Sequence, residues 1–89
     1  MSKIINLEKN FAKKLGMRET AKKIFQDLEG ESEATLNFEG IEFMSRSFAQ
    51  EYVAQKYHSS ININEDNMSD FVSGLLNVVE KDFKESCFS

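Results

Sequence analysis

The feature that most constrains the fold is an alternation, repeated three times, between a short apolar stretch and a longer amphipathic one. The short stretches, which are rich in branched and aromatic residues, are residues 3–7, 34–38 and 61–64. The longer stretches, in which apolar residues recur every three or four positions, are residues 17–28, 48–57 and 69–85. This β-α-β-α-β-α order predicts a small α/β domain with a short, largely parallel sheet and helices mainly on one face.

Local signals mark where these elements begin and end. Gly30 follows the first helix and suits the left-handed conformation that closes many helices. The pair Glu39-Gly40 predicts a turn after the second strand, which lies mid-chain and is therefore the expected core strand. Ser47 and Gln50 have the spacing of a capping box, which predicts Ser47 as the N-cap of the second helix.

The chain length of 89 residues predicts one domain over residues 1–89, because two separate cores would need a longer chain. No apolar run approaches the roughly 18 residues of a membrane span. The amino terminus lacks the apolar segment of a signal peptide. The single Cys87 cannot form an internal disulfide. We therefore expect a cytoplasmic protein.

Charge is distributed unevenly along the chain. Residues 1–30 carry seven basic and four acidic side chains, a net of +3, whereas residues 31–89 carry four and eleven, a net of −7. Two interpretations are open, a pair of solvated faces or a basic patch that binds an acidic partner surface. No nucleic-acid partner is expected, because basic residues interleaved with exposed aromatic residues are missing.

The residue types that usually carry catalysis or hold a metal are scarce. His58, the only histidine, is expected at the exposed end of the second helix, and one His with one Cys makes a zinc site improbable. The acidic residues near Asp70 lack calcium-loop spacing, and no phosphate-binding glycine loop occurs. We therefore predict no catalytic residues, no metal and no cofactor.

The one group of residues whose chemistry suits ligand binding or modification is Ser45-Arg46-Ser47, where the second helix begins. Serines at a helix amino terminus lie beside unpaired backbone N–H groups, which together with the helix dipole stabilise a phosphate. Arg46 would pair with such a phosphate. The simpler interpretation is that Ser47 only caps the helix and Ser45 only forms a turn.

Residues 36–51 read LNFEGIEFMSRSFAQE and resemble the hallmark of the STAS-like domain family of unknown function in bacteria and archaea. That hallmark is an apolar strand, a glycine turn and a helix opening on Ser-Phe-Ala. Residues 16–21, GMRETA, are similar to an earlier family motif in which an arginine opens the first helix. The resemblance covers roughly residues 15–80. Asn37 and Gln50 stand where the family usually has acidic residues.

A more distant resemblance is to the anti-sigma-factor antagonists, STAS proteins whose corner reads like Asp-Ser-Ser-Gly. Their first serine is phosphorylated by a partner kinase, and Arg46 occupies that position here. The resemblance implies the scaffold and a partner-facing corner, with a regulatory protein such as a histidine-kinase-like ATPase or an anti-sigma-type regulator as partner. It does not transfer the phosphorylation switch.

The function predicted is therefore a non-enzymatic, regulatory protein-protein interaction module, with no membrane partner. The predicted protein-binding residues are Arg18, Ser45, Arg46, Ser47 and Glu51. Arg46 would make a bidentate contact, and Glu51 would accept from the partner or from Arg18. Two alternatives stay open, a switch phosphorylated at Ser45 or Ser47 and a nucleotide-binding accessory domain.

Overall fold

The structure is a computed structural model that describes the backbone of residues 2–88 and the side chains of residues 3–85. The elements, in chain order, are β1 (Ser2–Asn6), α1 (Leu7–Asn10), β2 (Lys14–Leu15), α2 (Arg18–Asp27), β3 (Glu33–Asn37), β4 (Phe43–Met44), α3 (Arg46–His58), β5 (Asn62–Asp66) and α4 (Asp70–Phe88). The predicted alternation of strands and helices is thus confirmed, with β2, β4 and the single turn α1 added.

The main sheet has the order β1-β3-β5, and both pairings are parallel. The mid-chain strand β3 is central, as predicted, and its Leu36 lies between Ile5 of β1 and Glu65 of β5. Ala34 and Leu36 of this central strand are completely buried.

The helices cover one face of this sheet, which confirms the predicted α/β class. On β1, Ile5 is buried whereas its neighbour Ile4 is 73% exposed, because successive side chains of a strand point to opposite faces. Helix α3 packs between α2 and α4. Its residues Tyr52 and Val53 are completely buried in the single core cluster.

A second, two-stranded parallel sheet joins β2 and β4, with Leu15 beside Met44. Sequence analysis did not predict it, because two-residue strands carry no periodicity. The predicted turn before β4 is present, and Gly40 adopts a φ of +83° there. A side chain at Gly40 would be strained and would also collide with the carboxylate of Glu8. Each strand of the small sheet leads directly into a helix, so the pairing of β2 with β4 brings the starts of α2 and α3 together.

Candidate functional site

The predicted protein-binding residues lie around the amino-terminal ends of α2 and α3. Arg18 is the first residue of α2 and Arg46 is the first residue of α3. The two helix starts are neighbours, because β2 and β4 pair just before them and the two helices pack against each other. In an α/β fold this end of the sheet, beyond the carboxyl ends of the strands, is where ligands and partners usually bind.

Ser45, and not Ser47, is the N-cap of α3, which corrects the sequence prediction. Ser45 has an extended backbone, with φ −80° and ψ 159°, and its Oγ accepts a hydrogen bond of 3.0 Å from the Phe48 amide. The same hydroxyl donates to the Gly16 carbonyl at 2.9 Å, and the Ser45 amide donates to the Leu15 carbonyl at 2.9 Å. Ser45 is therefore a structural link between the starts of α2 and α3.

We expect Ser45→Ala to lower the free energy of unfolding by about 1–2 kcal/mol, because it removes both the cap and the bond to Gly16. Ser47→Ala is the matched control, and we expect it to change stability by less than about 0.5 kcal/mol. Urea denaturation followed by far-UV circular dichroism measures both. If Ser47→Ala were the more destabilising change, this assignment of the cap would be wrong.

Ser47 itself lies in the first turn of α3 and is exposed. Within the described part of the chain, its hydroxyl makes no hydrogen bond. Of the two serines considered as phosphorylation sites, only Ser47 therefore has a hydroxyl without a hydrogen-bond partner among the described residues. It also lies directly after Arg46 in the sequence.

Arg46 and Glu51 are both paired within the chain. The Arg46 guanidinium contacts the Asp82 carboxylate of α4 at 3.0 Å, and the two side chains are 59% and 56% exposed. An exposed pair of this kind contributes roughly 0–1 kcal/mol, so a partner can compete for Arg46 at little cost. Glu51 accepts from Gln55 at 2.9 Å, and no contact with Arg18 is found among the described residues.

Three exposed apolar side chains at the start of α2, in β4 and at the start of α4 were not identified by the sequence analysis. Met17 precedes α2 and is 63% exposed, while Phe43 of β4 and Phe71 of α4 are 44% and 52% exposed. The two phenyl rings stack, with centroids 6.3 Å apart and planes at 23°. Ile41 and Phe43 are two positions apart in the sequence, yet Ile41 is buried and Phe43 is exposed.

We call the combined set the corner surface, and its members are Met17, Arg18, Phe43, Arg46, Ser47 and Phe71. It joins exposed aromatic rings to two guanidinium groups, which are residue types enriched where proteins bind one another. No single sequence motif contains it, since its residues come from β4 and from the starts of α2, α3 and α4.

A second polar cluster lies deeper, between α3, β5 and α4. The Tyr52 hydroxyl donates to Glu65, while the Lys56 ammonium contacts Glu65 at 3.3 Å and Glu80 at 3.1 Å. Burial, followed by the charge of Glu65, raises the pKa of Tyr52 well above its usual value. Burial alone would lower the pKa of Lys56, but the carboxylates of Glu65 and Glu80 outweigh it and raise that pKa. These groups satisfy one another, so the cluster is a structural link between three elements.

Two concave surfaces lie along α3. An open groove of about 760 Å³ lies at the carboxyl ends of α2 and α3 and is lined by Phe25, Gln55 and His58, among others. It is at the opposite end of the helices from the corner surface. His58 is exposed at the end of α3, as predicted. A smaller cleft of about 250 Å³ between α3 and α4 is lined by Gln50, Asp82 and neighbouring residues, next to the Arg46 pair.

Among residues 3–85, whose side chains are described, no three His, Cys, Asp or Glu come together in a way that could hold a metal ion. None of the helices in the described chain is long and apolar enough to cross a bilayer. A scan against protein-family models, a search of curated proteins and a search of solved structures found no match. The likeness to STAS-like domains therefore rests on residues 16–21 and 36–51 themselves.

Proposed function

We propose that this protein is a non-enzymatic, STAS-like regulatory module that binds another protein through the corner surface. One observation carries the proposal: the exposed ring of Phe43, three residues before the first residue of α3, stacks on the exposed ring of Phe71 from α4. Burying such rings against a partner removes apolar surface from water, which is the main favourable term in association. The guanidinium of Arg46 would fix the orientation of the bound partner and add specificity.

The kind of partner follows from the resemblance and not from the corner surface itself. A histidine-kinase-like ATPase or an anti-sigma-type regulator is the expected class. Such a partner would present a carboxylate to Arg46 in place of Asp82. It would also offer an apolar pocket for Phe43.

The test is quantitative affinity capture from the cell that makes the protein, followed by binding measurements with the purified partner. We expect Phe43→Ser and Arg46→Glu each to weaken binding at least about 10-fold, as at binding hot spots. Ile4→Thr is the matched control, since Ile4 is 73% exposed on the uncovered face of the sheet. Unchanged binding in both corner variants would overturn the proposal.

A charge exchange separates a partner contact from a structural role of Arg46. The double variant Arg46→Asp with Asp82→Arg keeps an ion pair between α3 and α4 with reversed polarity. We expect its stability to match the parent protein within about 0.5 kcal/mol, because the pair is exposed. We expect binding to stay weak, since the guanidinium is no longer at position 46. Restored binding would mean that the partner requires only an ion pair between positions 46 and 82, of either polarity.

A second candidate is a switch in which Ser47 is phosphorylated. The observation that favours Ser47 over Ser45 is that its hydroxyl is exposed, whereas the Ser45 hydroxyl bonds Gly16 and Phe48. A phosphate at Ser47 would meet the positive end of the α3 dipole and the adjacent Arg46. Intact mass spectrometry of protein isolated from cells tests this, and absence of phosphate in every growth phase would end it.

A further inference from the structure

Strand β1 forms one side of the main sheet, and its outer edge is unpaired. Among the strands of the described chain, β1 pairs with β3 alone. Ile4, in the middle of β1, is 73% exposed, more than any other large apolar side chain that the structure describes. Parallel sheets are usually covered on both faces, and an open edge is a template for a further strand. We call the outer side of Ser2–Asn6 the β1 edge.

The hydrogen bonds of the central strand show which way the backbone of β1 points. The Phe38 amide donates to the Asp66 carbonyl at 2.9 Å, and the Asn62 amide donates to the Ser32 carbonyl at 3.0 Å. The even-numbered residues of β3 and its flanks therefore bond to β5. Successive residues of a strand direct their N–H and C=O groups to opposite edges, so the odd-numbered residues of β3 bond to β1.

Ile4 consequently directs its backbone groups out of the sheet. Thr35 of β3 is in register with Ile4. In a parallel ladder a residue bonds to the two neighbours of its register partner, so the bonds of Thr35 go to Lys3 and Ile5. The N–H and C=O of Ile4 then point away from β3, towards the β1 edge. No backbone hydrogen bond from another described segment reaches them.

The charged side chains nearest to the β1 edge are directed away from it. The Lys3 ammonium donates to the Asp27 carbonyl at 2.9 Å, which draws it over the covered face of the sheet towards the end of α2. Glu33 lies beside β1 in the sheet, but its carboxylate accepts from Asn64 at 3.1 Å, on the β5 side. Neither charge therefore blocks the approach of another strand.

The opposite edge of the sheet, formed by β5, is less suited to pairing with its own copy. Both charged residues of β5, Glu65 and Asp66, are acidic, whereas the only charged residue of β1 is Lys3. Charged residues on an edge strand oppose edge-to-edge pairing. Glu65 is also held by Tyr52 and Lys56 within the chain. The β1 edge is thus the better candidate for association.

We infer that the β1 edge binds a second copy of this chain, with the two β1 strands antiparallel about a two-fold axis at Ile4. Each Ile4 N–H would donate to the Ile4 carbonyl of the other copy. The two Ile4 side chains would pack together across the axis, and Lys3 would lie opposite Ile5 of the other copy, so no like charges oppose each other directly. The strand is thus its own complement. This inference goes beyond the proposed function and does not depend on it.

The expected dimer is weak. One pair of short strands buries less surface than a standard stable interface, so we expect a dissociation constant in the micromolar range, about 10–100 µM. The net charge of −4 on each copy opposes association. This repulsion is largely screened at about 0.15 M salt, where the measurement belongs.

Sedimentation equilibrium of the full chain over a range of concentrations tests the inference. We expect Ile4→Pro to weaken dimerisation at least about 10-fold, because proline removes the N–H that the second copy would bind. The fold should survive, since an edge strand tolerates proline where its N–H faces solvent, and circular dichroism checks this. Ile4→Val is the matched control. It keeps the N–H and a branched apolar side chain, so dimerisation should stay within about 3-fold of the parent protein.

Charged variants then test the two-fold axis without proline. Ile4→Lys and Ile4→Glu should each weaken the dimer at least about 10-fold, because each places like charges directly opposite. An equal mixture of the two variants should associate again, since lysine then faces glutamate across the axis. Val78→Lys, the same charge change at an exposed position of α4, is the control and should leave the dimer intact. A mixture that stays monomeric while the parent chain dimerises would overturn the pairing at Ile4.

A chain that stays monomeric up to about 1 mM would overturn the dimer itself. Equal loss in Ile4→Lys and Val78→Lys would also overturn it. If the chain is monomeric and Ile4→Pro instead weakens binding of the captured protein, the β1 edge binds a strand of that protein and the second-copy inference is wrong. The corner variants Phe43→Ser and Arg46→Glu report on the proposed function separately.

Discussion

Replacing Lys56 by Met is expected to lower the free energy of unfolding by about 2–4 kcal/mol, somewhat less than for a fully buried ion pair. The Lys56 ammonium lies between the carboxylates of Glu65 and Glu80, and the three side chains are only 16–23% exposed. Without the ammonium, two poorly solvated negative charges face each other across the junction of α3, β5 and α4. Urea denaturation at pH 7 measures the loss.

Two further variants test whether the loss of stability in Lys56→Met is electrostatic. Lys23→Met is the control, because Lys23 lies on the exposed side of α2 and should matter by less than about 0.5 kcal/mol. The double variant Lys56→Met with Glu80→Leu removes one of the two carboxylates that Lys56→Met leaves without a cation. It should recover at least about half of the loss, since the two positions are directly coupled. Additive losses in the double variant would contradict an electrostatic origin.

Replacing Tyr52 by Ala is expected to cost about 3–5 kcal/mol, the range for large aromatic residues in a core. Tyr52 is completely buried in the middle of α3. Its ring lies 5.8 Å from that of Phe25, 6.3 Å from Phe38 and 6.2 Å from Phe48. A cavity there removes contacts to α2, to the loop after β3 and to α3 itself. Small domains have only about 5–15 kcal/mol in total, so a partly unfolded population is expected.

Tyr52→Phe separates the ring from its hydroxyl. It keeps the aromatic contacts and removes the hydrogen bond to Glu65, so the expected loss is about 1–2 kcal/mol. Thermal unfolding followed by circular dichroism ranks the two variants. If Phe and Ala were equally destabilising at this position, the hydroxyl network and not the packing would dominate.

Much of the architecture was predictable because its signals are local. Period-two and period-three-to-four patterns identified the strands β1, β3 and β5 and the helices α2, α3 and α4. Gly30 has the positive φ, +89°, that its position after the first helix predicted, and the turn predicted at Glu39-Gly40 is present, with Gly40 at φ +83°. Boundaries were less exact, and α4 extends to Phe88, three residues past the predicted end.

The start of α3 shows where local signals fail. Both Ser45 and Ser47 are residues that favour a helix cap, and the capping-box spacing to Gln50 favoured Ser47. The choice is made by a contact with Gly16, 29 residues away in the chain, which engages the Ser45 hydroxyl. No window of sequence around the helix start contains that information.

The sequence by itself therefore determined the order of strands and helices, the central strand and the end of the molecule where Arg18 and Arg46 lie. Only the tertiary structure decided which side chains share a surface. Phe43 and Phe71 are 28 positions apart and meet because α4 packs next to β4. Lys56 contacts Glu65 and Glu80 because α3 packs against β5 and α4. Periodicity in the sequence indicates which face of a helix or strand is buried. Which exposed residues of different elements lie next to one another depends on how whole elements pack.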